Sequence, residues 1–408
     1  MSRRLSLCIV FCWSLASGAA LAQSPMTESE AAARLSLESP RARAVAAEVD
    51  LARAAVAAAG RWPNPTVTAS RESVAGVRED FLLVSQALPV TGRRSLATAS
   101  AQEQVRSAEL RAADVLRRLR VDLRHAFVDL SVEEARQREL VTALEALQSL
   151  AGVLERREKA GDAAGFDRLR AEREALDVAS MLGDVKARRA RAQGLVASFY
   201  FPVPDPSTLH AAPLVTDRPA LPPADELVAN AEDRRPDLRA LEREIESARL
   251  AVRTASRSLR PEPAIVAGLK TSSVGADRRG SVLSVLATIP VFDRARPERA
   301  EAAARERLAA ARRDALRAEI VATVRGLRLA AQERRAAADD YRREAVPRSD
   351  ELRRIAQVSY DAGERGILEL LDAYRSAADA RLRLLELDGL SAAAEIDLEL
   401  ATGMEIRK

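Results

Sequence analysis

The sequence returns to itself after about 200 residues, and that duplication sets the frame for any fold it can adopt. Leu88-Pro89-Val90, followed by Gly92-Arg93, comes back as Ile289-Pro290-Val291, followed by Asp293-Arg294. Pro63-Asn64-Pro65 matches Pro261-Glu262-Pro263, and Ala160-Gly161-Asp162 matches Ala362-Gly363-Glu364. The offsets are 201, 198 and 202 residues, in the same order. Between the halves lies a stretch crowded with prolines (Pro202, Pro204, Pro206, Pro213, Pro219, Pro222, Pro223). Proline sustains neither a helix nor a central strand, so residues 202–223 read as an extended connector. The expected units are a first repeat, 23–201, and a second, 224–408.

Each repeat carries the same order of elements. In the first, a helix over 27–60 stops before Trp62-Pro63-Asn64-Pro65, two short strands follow at 66–74 and 79–88 about Gly76, and helices run over 93–159 and 167–198. The second reads as helix 224–258, strands 264–272 and 281–289, and helices 294–361 and 367–401. Leu116, Leu119, Leu123, Ala126 and Leu130 step by three and four, and Leu140, Leu144, Leu147, Ala151 and Leu154 resume the phase. That is a coiled-coil seam. Only 3% of the chain is aromatic, and Ala, Leu, Arg and Glu recur throughout, a mix that favours long helices. Pro347 interrupts the second long helix, with no proline at the matching place in the first. A kink is expected there from the missing hydrogen bond and the ring clash.

Length decides the architecture. Each long helix would span on the order of 100 Å, too long for one compact core. In each repeat the two shorter helices together equal the long one, so they are expected to stack end to end beside it. The strands have the length of membrane-spanning β-strands, but four cannot close a barrel, and open edges are not tolerated in lipid. Several copies must therefore contribute to one barrel; soluble hairpins are the other reading of the strands taken alone. Phe81, Leu83 and Ala87 form one candidate lipid-facing row, and Ile265, Ala267 and Leu269 another, opposite Gly268 and Lys270. Trp62 reads as an interfacial anchor or as simple packing.

Arg3 and Arg4, the apolar run Leu5–Leu21 and Ala20-Leu21-Ala22 have the pattern of a cleaved export signal, residues 1–22. Both cysteines, Cys8 and Cys12, lie inside it, so cleavage would remove every thiol and shift the formal charge from +4 to +2. Neither cysteine sits where a lipid-modified one is expected. The 64 basic and 60 acidic residues interleave along the chain, which argues against a nucleic-acid partner. No phosphate loop, serine elbow or clustered metal-ligand set is present, so neither an enzyme nor a bound cofactor is expected. The two histidines are His125, with Asp122 and Asp129 at helical spacing, and His210 in the connector. The first is a conceivable surface metal site, but a packed or solvated helix residue fits better.

Taken in order, Pro63-Asn64-Pro65, Gln86-Ala87-Leu88-Pro89…Gly92-Arg93, Arg235-Pro236-Asp237-Leu238, Ile289-Pro290-Val291-Phe292-Asp293 and the stretch Tyr360–Asp372 resemble the TolC family of outer-membrane efflux channels. The resemblance implies a mainly α chain with a small β part. Three copies would form a twelve-stranded transmembrane β-barrel on a long α-helical coiled-coil barrel reaching through the periplasm. It further implies a periplasmic adaptor and an inner-membrane pump, of the resistance-nodulation-division type, as partners of the homotrimer, along with outer-membrane lipid. The Gln86…Arg93-Arg94 turn is most similar to the cobalt-zinc-cadmium and heavy-metal branch. A soluble periplasmic scaffold or adaptor, or a channel for polypeptide secretion, are the alternatives.

Gly161 and Gly363 mark hairpin turns at the end far from the strands. Glu369 and Asp372, three apart on one helix face, match the family's acidic positions around the periplasmic entrance, where three copies would present six carboxylates to cations. The same spacing fits ordinary solvated charges. Tyr360, Arg365 and Asp167 match the positions whose contacts close the entrance. Phe166 stands where the family often has a polar residue, which puts one such link in question.

Overall fold

The computed structural model describes residues 25–35, 38–161, 165–274 and 278–407. The expected leader with Cys8 and Cys12 lies outside them. Helices α1 (Glu28–Ala33) and α2 (Pro40–Gly60) precede strands β1 (Thr66–Val74) and β2 (Val77–Ala87), then helices α3 (Arg93–Ala160) and α4 (Gly165–Ala197). After the connector come α5 (Ala224–Arg234), α6 (Pro236–Arg257), strands β3 (Pro263–Ser272) and β4 (Arg278–Ala287), and helices α7 (Arg296–Asp340), α8 (Val346–Asp361) and α9 (Ile367–Thr402).

Three expected helices are divided, each at a proline. The one expected over 27–60 breaks before Pro40, which starts α2 under a Ser39 cap whose hydroxyl accepts from the Ala42 N–H at 3.2 Å. The one expected over 224–258 breaks at Arg235, because Pro236 suits the first turn of a helix and not its interior. The one expected over 294–361 passes through a π-turn, Tyr341–Ala345, immediately before Pro347. A single wide turn is how a helix absorbs a residue that offers no N–H and crowds the preceding carbonyl. By contrast α3 runs 68 residues without interruption.

Helices α2 and α4 lie along α3, α6 and α9 lie along α7, and α3 joins the halves through α6 and α9. The leucine seam is real: Leu123, Ala126, Leu130, Leu140, Leu147 and Leu154 are buried. Between α3 and α6 the small residues Ser100 and Ser247 exchange hydroxyl-to-carbonyl bonds, each at 2.9 Å, which brings the two backbones close. The connector is extended, with one 3-10 turn at Pro206–Thr208, and it pairs with the start of the chain through a parallel bridge between Met26 and Ala211.

The strands form one antiparallel sheet in the order β1-β2-β3-β4, so β1 and β4 are its edges. Ala75 and Gly76, both left-handed, make the two-residue turn between β1 and β2. The register sets Val67 beside Val84, Ala69 beside Leu82, Leu82 beside Leu269, Val84 beside Ala267, and Ala267 beside Leu283. One face therefore carries Val67, Leu82, Val84, Ile265, Leu269, Leu283 and Val285, all large and exposed. The other carries Thr66, Thr68, Ser70, Glu79, Lys270 and Ser284 together with Val74, Val266, Val282 and Leu286, while Arg71, Arg78, Asp80 and Arg279 share the first face toward the hairpin end. Phe81, Leu83 and Ala87 fall on this second face, with Lys270 and Gly268, so the two candidate rows lie on opposite faces of the sheet. A Cβ on Gly268 would collide with the Leu82 carbonyl and sit 2.8 Å from the Leu83 Cα, so this close crossing needs glycine. Among the described residues no helix is long and apolar enough to cross a membrane.

Candidate functional site

At the end away from the sheet, α3 and α8 both stop at left-handed glycines, Gly161 (φ 83°) and Gly363 (φ 75°). Glycine meets that geometry without Cβ strain. Residues 162–164 lie outside the described set. Beside these turns the Tyr360 hydroxyl donates to Asp167 Oδ2 at 3.3 Å, tying α8 to α4. The Arg157 guanidinium lies 6.0 Å from the Tyr360 ring centre and 4.0 Å from Asp361. Burial first, and then the negative charge of Asp167, push the Tyr360 phenol above its ordinary range.

Further ion pairs lock the same region. Arg168 donates to Glu158 at 2.6 Å and Glu172 at 2.7 Å, fastening α4 to the end of α3. Arg375 of α9 grips Glu174 of α4 with two bonds, at 2.9 and 2.5 Å. Arg381 of α9 donates to Asp350 of α8 at 2.6 Å and reaches Glu139 of α3 at 3.6 Å. The sequence reading missed Arg157, Arg168, Glu174 and Arg375. One signal was available, since Glu174 and Arg375 are separated by 201 residues, the offset of the repeat.

Of the residues singled out in advance, Asp167 and Tyr360 meet. Arg365 is exposed, and its guanidinium pairs with no described residue. Glu369 and Asp372 are exposed one turn apart on α9, while Leu370, Leu371 and Ala373 turn inward between and beside them. Neither carboxylate forms an ion pair with a described residue. Phe166 is exposed, with the Arg170 guanidinium 5.3 Å from its ring centre.

The histidines hold helices together. His125 shares a hydrogen bond with Asp397 at 2.9 Å, joining α3 to α9, and His210 shares one with Glu134 at 3.0 Å. The conceivable site of His125 with Asp122 and Asp129 is not formed: among the described residues no group of side chains is arranged to hold a metal ion.

At the sheet end, the turn residues have mechanical work. Gln86 Nε2 donates to the Pro63 carbonyl at 3.0 Å. Arg94 donates to the Gly60 carbonyl at 3.0 Å and covers the Trp62 ring at 4.9 Å. Thr91 donates to Glu262 at 2.6 Å, linking the two halves. The Pro-Val step is built alike on both sides, with the Val90 N–H on Leu88 O and the Val291 N–H on Ile289 O, each at 2.9 Å.

With that geometry in hand, residues 227–404 match the family model described as outer membrane efflux protein. No curated protein sequence matches closely enough to count as a relative. Solved structures do match in fold. A membrane protein from Pseudomonas aeruginosa superposes with a TM-score of 0.76 at 20% identity, covering 92% of each chain. The outer membrane protein VceC of Vibrio cholerae gives 0.72 at 16% identity, covering 93% of this chain and 97% of its own. The open state of the MtrE outer membrane channel of Neisseria gonorrhoeae gives 0.71 at 18%, covering 92% and 88%. At these identities the likeness is one of fold.

Proposed function

We propose that the chain is the outer-membrane duct of a tripartite export system: residues 227–404 match the outer membrane efflux protein model, and the chain shares the fold of TolC-like outer-membrane channels. Three copies would pool their strands into a twelve-stranded barrel in the outer membrane of a Gram-negative cell, and their helices into a tunnel through the periplasm. The duct is passive. An adaptor and an inner-membrane pump, of the resistance-nodulation-division type, supply cargo and energy.

One observation carries this reading. The sheet has two unpaired edges, and one face bares Val67, Leu82, Val84, Ile265, Leu269, Leu283 and Val285 to solvent, with Arg71, Arg78, Asp80 and Arg279 gathered toward its hairpin end. In water such a sheet aggregates; closed with its copies in lipid, both liabilities vanish. A soluble scaffold would leave that face without purpose. Trp62 and Phe292, both exposed beside the sheet's helix-proximal end, suit the interfacial belt. The unpaired Glu369 and Asp372 suit a cation-favouring ring at the periplasmic entrance, with Tyr360, Asp167 and Arg365 around it.

Heavy-metal cations are the cargo class we propose first, on the resemblance of the Gln86–Arg94 turn. The bonds of Gln86 and Arg94 give that turn a structural role of its own, so the pump sets the choice. Membrane fractionation tests the assembly: the protein should need detergent and run as a heat-sensitive trimer that conducts ions in planar bilayers. A monomer soluble in buffer would refute it. Restored metal tolerance in a strain lacking the channel would support the cargo, and restored drug tolerance or protein secretion alone would replace it.

A further inference from the structure

The sheet face that bares large apolar side chains changes character along its length. Leu82 and Leu269 stand side by side on it, and one row further from the helices come Arg71, Asp80, Thr271 and Arg279, each beside the next across the four strands. Arg78 lies beyond Asp80, toward the turn. Arg71 is already paired, donating to Asp80 at 2.5 and 3.3 Å. Arg78 and Arg279 are exposed, and among the described residues neither guanidinium has a partner.

Height and sign both set this patch apart. β3 begins on this face at Pro263, and Thr271 in the charged row follows it by 8 residues, about 27 Å along a strand. At a barrel strand's tilt of about 40° that is about 20 Å along the membrane normal, close to the apolar band of about 25 Å. The long arginine stems add reach, so the guanidiniums end at the far boundary of the hydrocarbon. At the same level the opposite face holds Glu72, Glu79, Lys270 and Arg278, two charges of each sign, with Glu79 and Lys270 paired at 2.7 Å. The apolar face holds three guanidiniums against one carboxylate.

We propose that Arg78 and Arg279 bind the phosphate of a lipid headgroup in the outer leaflet, with the lipid's acyl chains lying on the apolar rows beneath them. This rests on the assembly proposed above, which sets the hairpin end outermost. A guanidinium presents forked N–H donors that match phosphate oxygens, and at an apolar boundary its attraction is screened less than in open water. Only β3 separates the two strands that carry the pair. Their backbones are about 10 Å apart across the sheet and about 7 Å along it, so two long side chains can converge on one headgroup. Hydrocarbon and phosphate sites share one face in the order an amphiphile needs, an arrangement that a free phosphate would not use. Asp80 holds Arg71 back, and without it a third guanidinium would join.

Lipid retention by the detergent-extracted assembly tests the site. Titrated with diphosphoryl lipid A and followed by native mass spectrometry, the parent should hold the lipid, and Arg78→Gln with Arg279→Gln should weaken retention at least about tenfold. Asp80→Asn should strengthen it by freeing Arg71, an effect that no purely structural role of these residues would give. Arg278→Gln, at the same level on the opposite face, should leave it unchanged. Lipid A stripped of both phosphates should bind the parent as weakly as the intact lipid binds the double variant. Equal retention by parent and double variant overturns the proposal, as does lost retention in Arg278→Gln. Inorganic phosphate that displaces the lipid would show a free-anion site and end the proposal as well. A trimer that conducts ions but retains no lipid overturns this site and leaves the channel reading standing, whereas a monomer soluble in buffer overturns both.

Discussion

Tyr360 illustrates how one side chain ties chemistry to position. Its phenol is partly buried beside Asp167, so its neutral form is favoured in the folded state and its pKa is raised. The stability this contributes is complete below about pH 10 and disappears as pH rises through the folded value. An open fraction that climbs in alkali is therefore expected, and Tyr360→Phe should start partly open and lose the alkaline step; recordings from neutral to strongly alkaline pH decide it. Ala295 is a second such residue. It caps α7 in a left-handed conformation, φ 50°, where Gly92, at φ 76°, caps α3. A side chain costs roughly 1–2 kcal/mol there, so Ala295→Gly should stabilise the fold by about 1 kcal/mol, read from the thermal midpoint. The duplicated turns pointed to Gly161 and Gly363, and both hold the backbone that only glycine adopts freely. The partner of Tyr360 came from family resemblance, because a contact between residues 193 positions apart leaves no local trace.

Among the elements, the contrast between the two long helices is the informative one. α3 is continuous over 68 residues, while its counterpart is split into α7 and α8 by the π-turn before Pro347. A wide turn is a place where a helix bends with little loss of packing. Pro347→Ala should let the i→i−4 ladder close through this segment and stiffen α8. Slower amide exchange over 341–350 and a changed open fraction are expected; a variant unchanged in both would remove Pro347 from gating. The breaks at Pro40 and Pro236 were legible in principle, since each proline starts a helix. They were overridden by the apolar periodicity that runs through them. Strand facing was less legible. β2 is apolar on both sides, so its pattern cannot select a face, and the pairing with β3 decides it.

For the whole molecule, a buried ionic cluster at the waist gathers segments that are remote in sequence. Glu395 is fully buried and accepts from Arg218 at 2.8 Å and Arg335 at 2.5 Å, with Arg407 at 3.8 Å. Glu399 accepts from Arg124 and from the backbone N–H groups of Ile406 and Arg407. Glu28 pairs with Arg124 at 2.5 Å and with Arg407 at 3.1 Å. Helices α1, α3, α7 and α9, the connector and the C-terminal tail are thus joined in one network. Burial, with Arg218 and Arg124 nearby, lowers the Arg407 pKa. Removing one member strands the others without water, so Glu395→Ala should cost on the order of 3–5 kcal/mol, measured by denaturant unfolding. Glu395→Gln, which keeps hydrogen bonding but drops the charge, should still destabilise. Nothing in the spacing of these residues announces the cluster, because its members come from six separate segments.

The sequence by itself determined the order of helical and strand segments in each half, the lengths of the strands and of the unbroken helices, and the glycine turns. These follow from periodicity, proline and glycine chemistry, and the length of a strand, all of which act over a few residues. The tertiary structure alone decided which strand residues share a face, which carboxylates stay unpaired at the tip, and which charges lock the waist. Those depend on register and on side chains meeting from distant segments, and a one-residue shift in pairing would reverse the first of them.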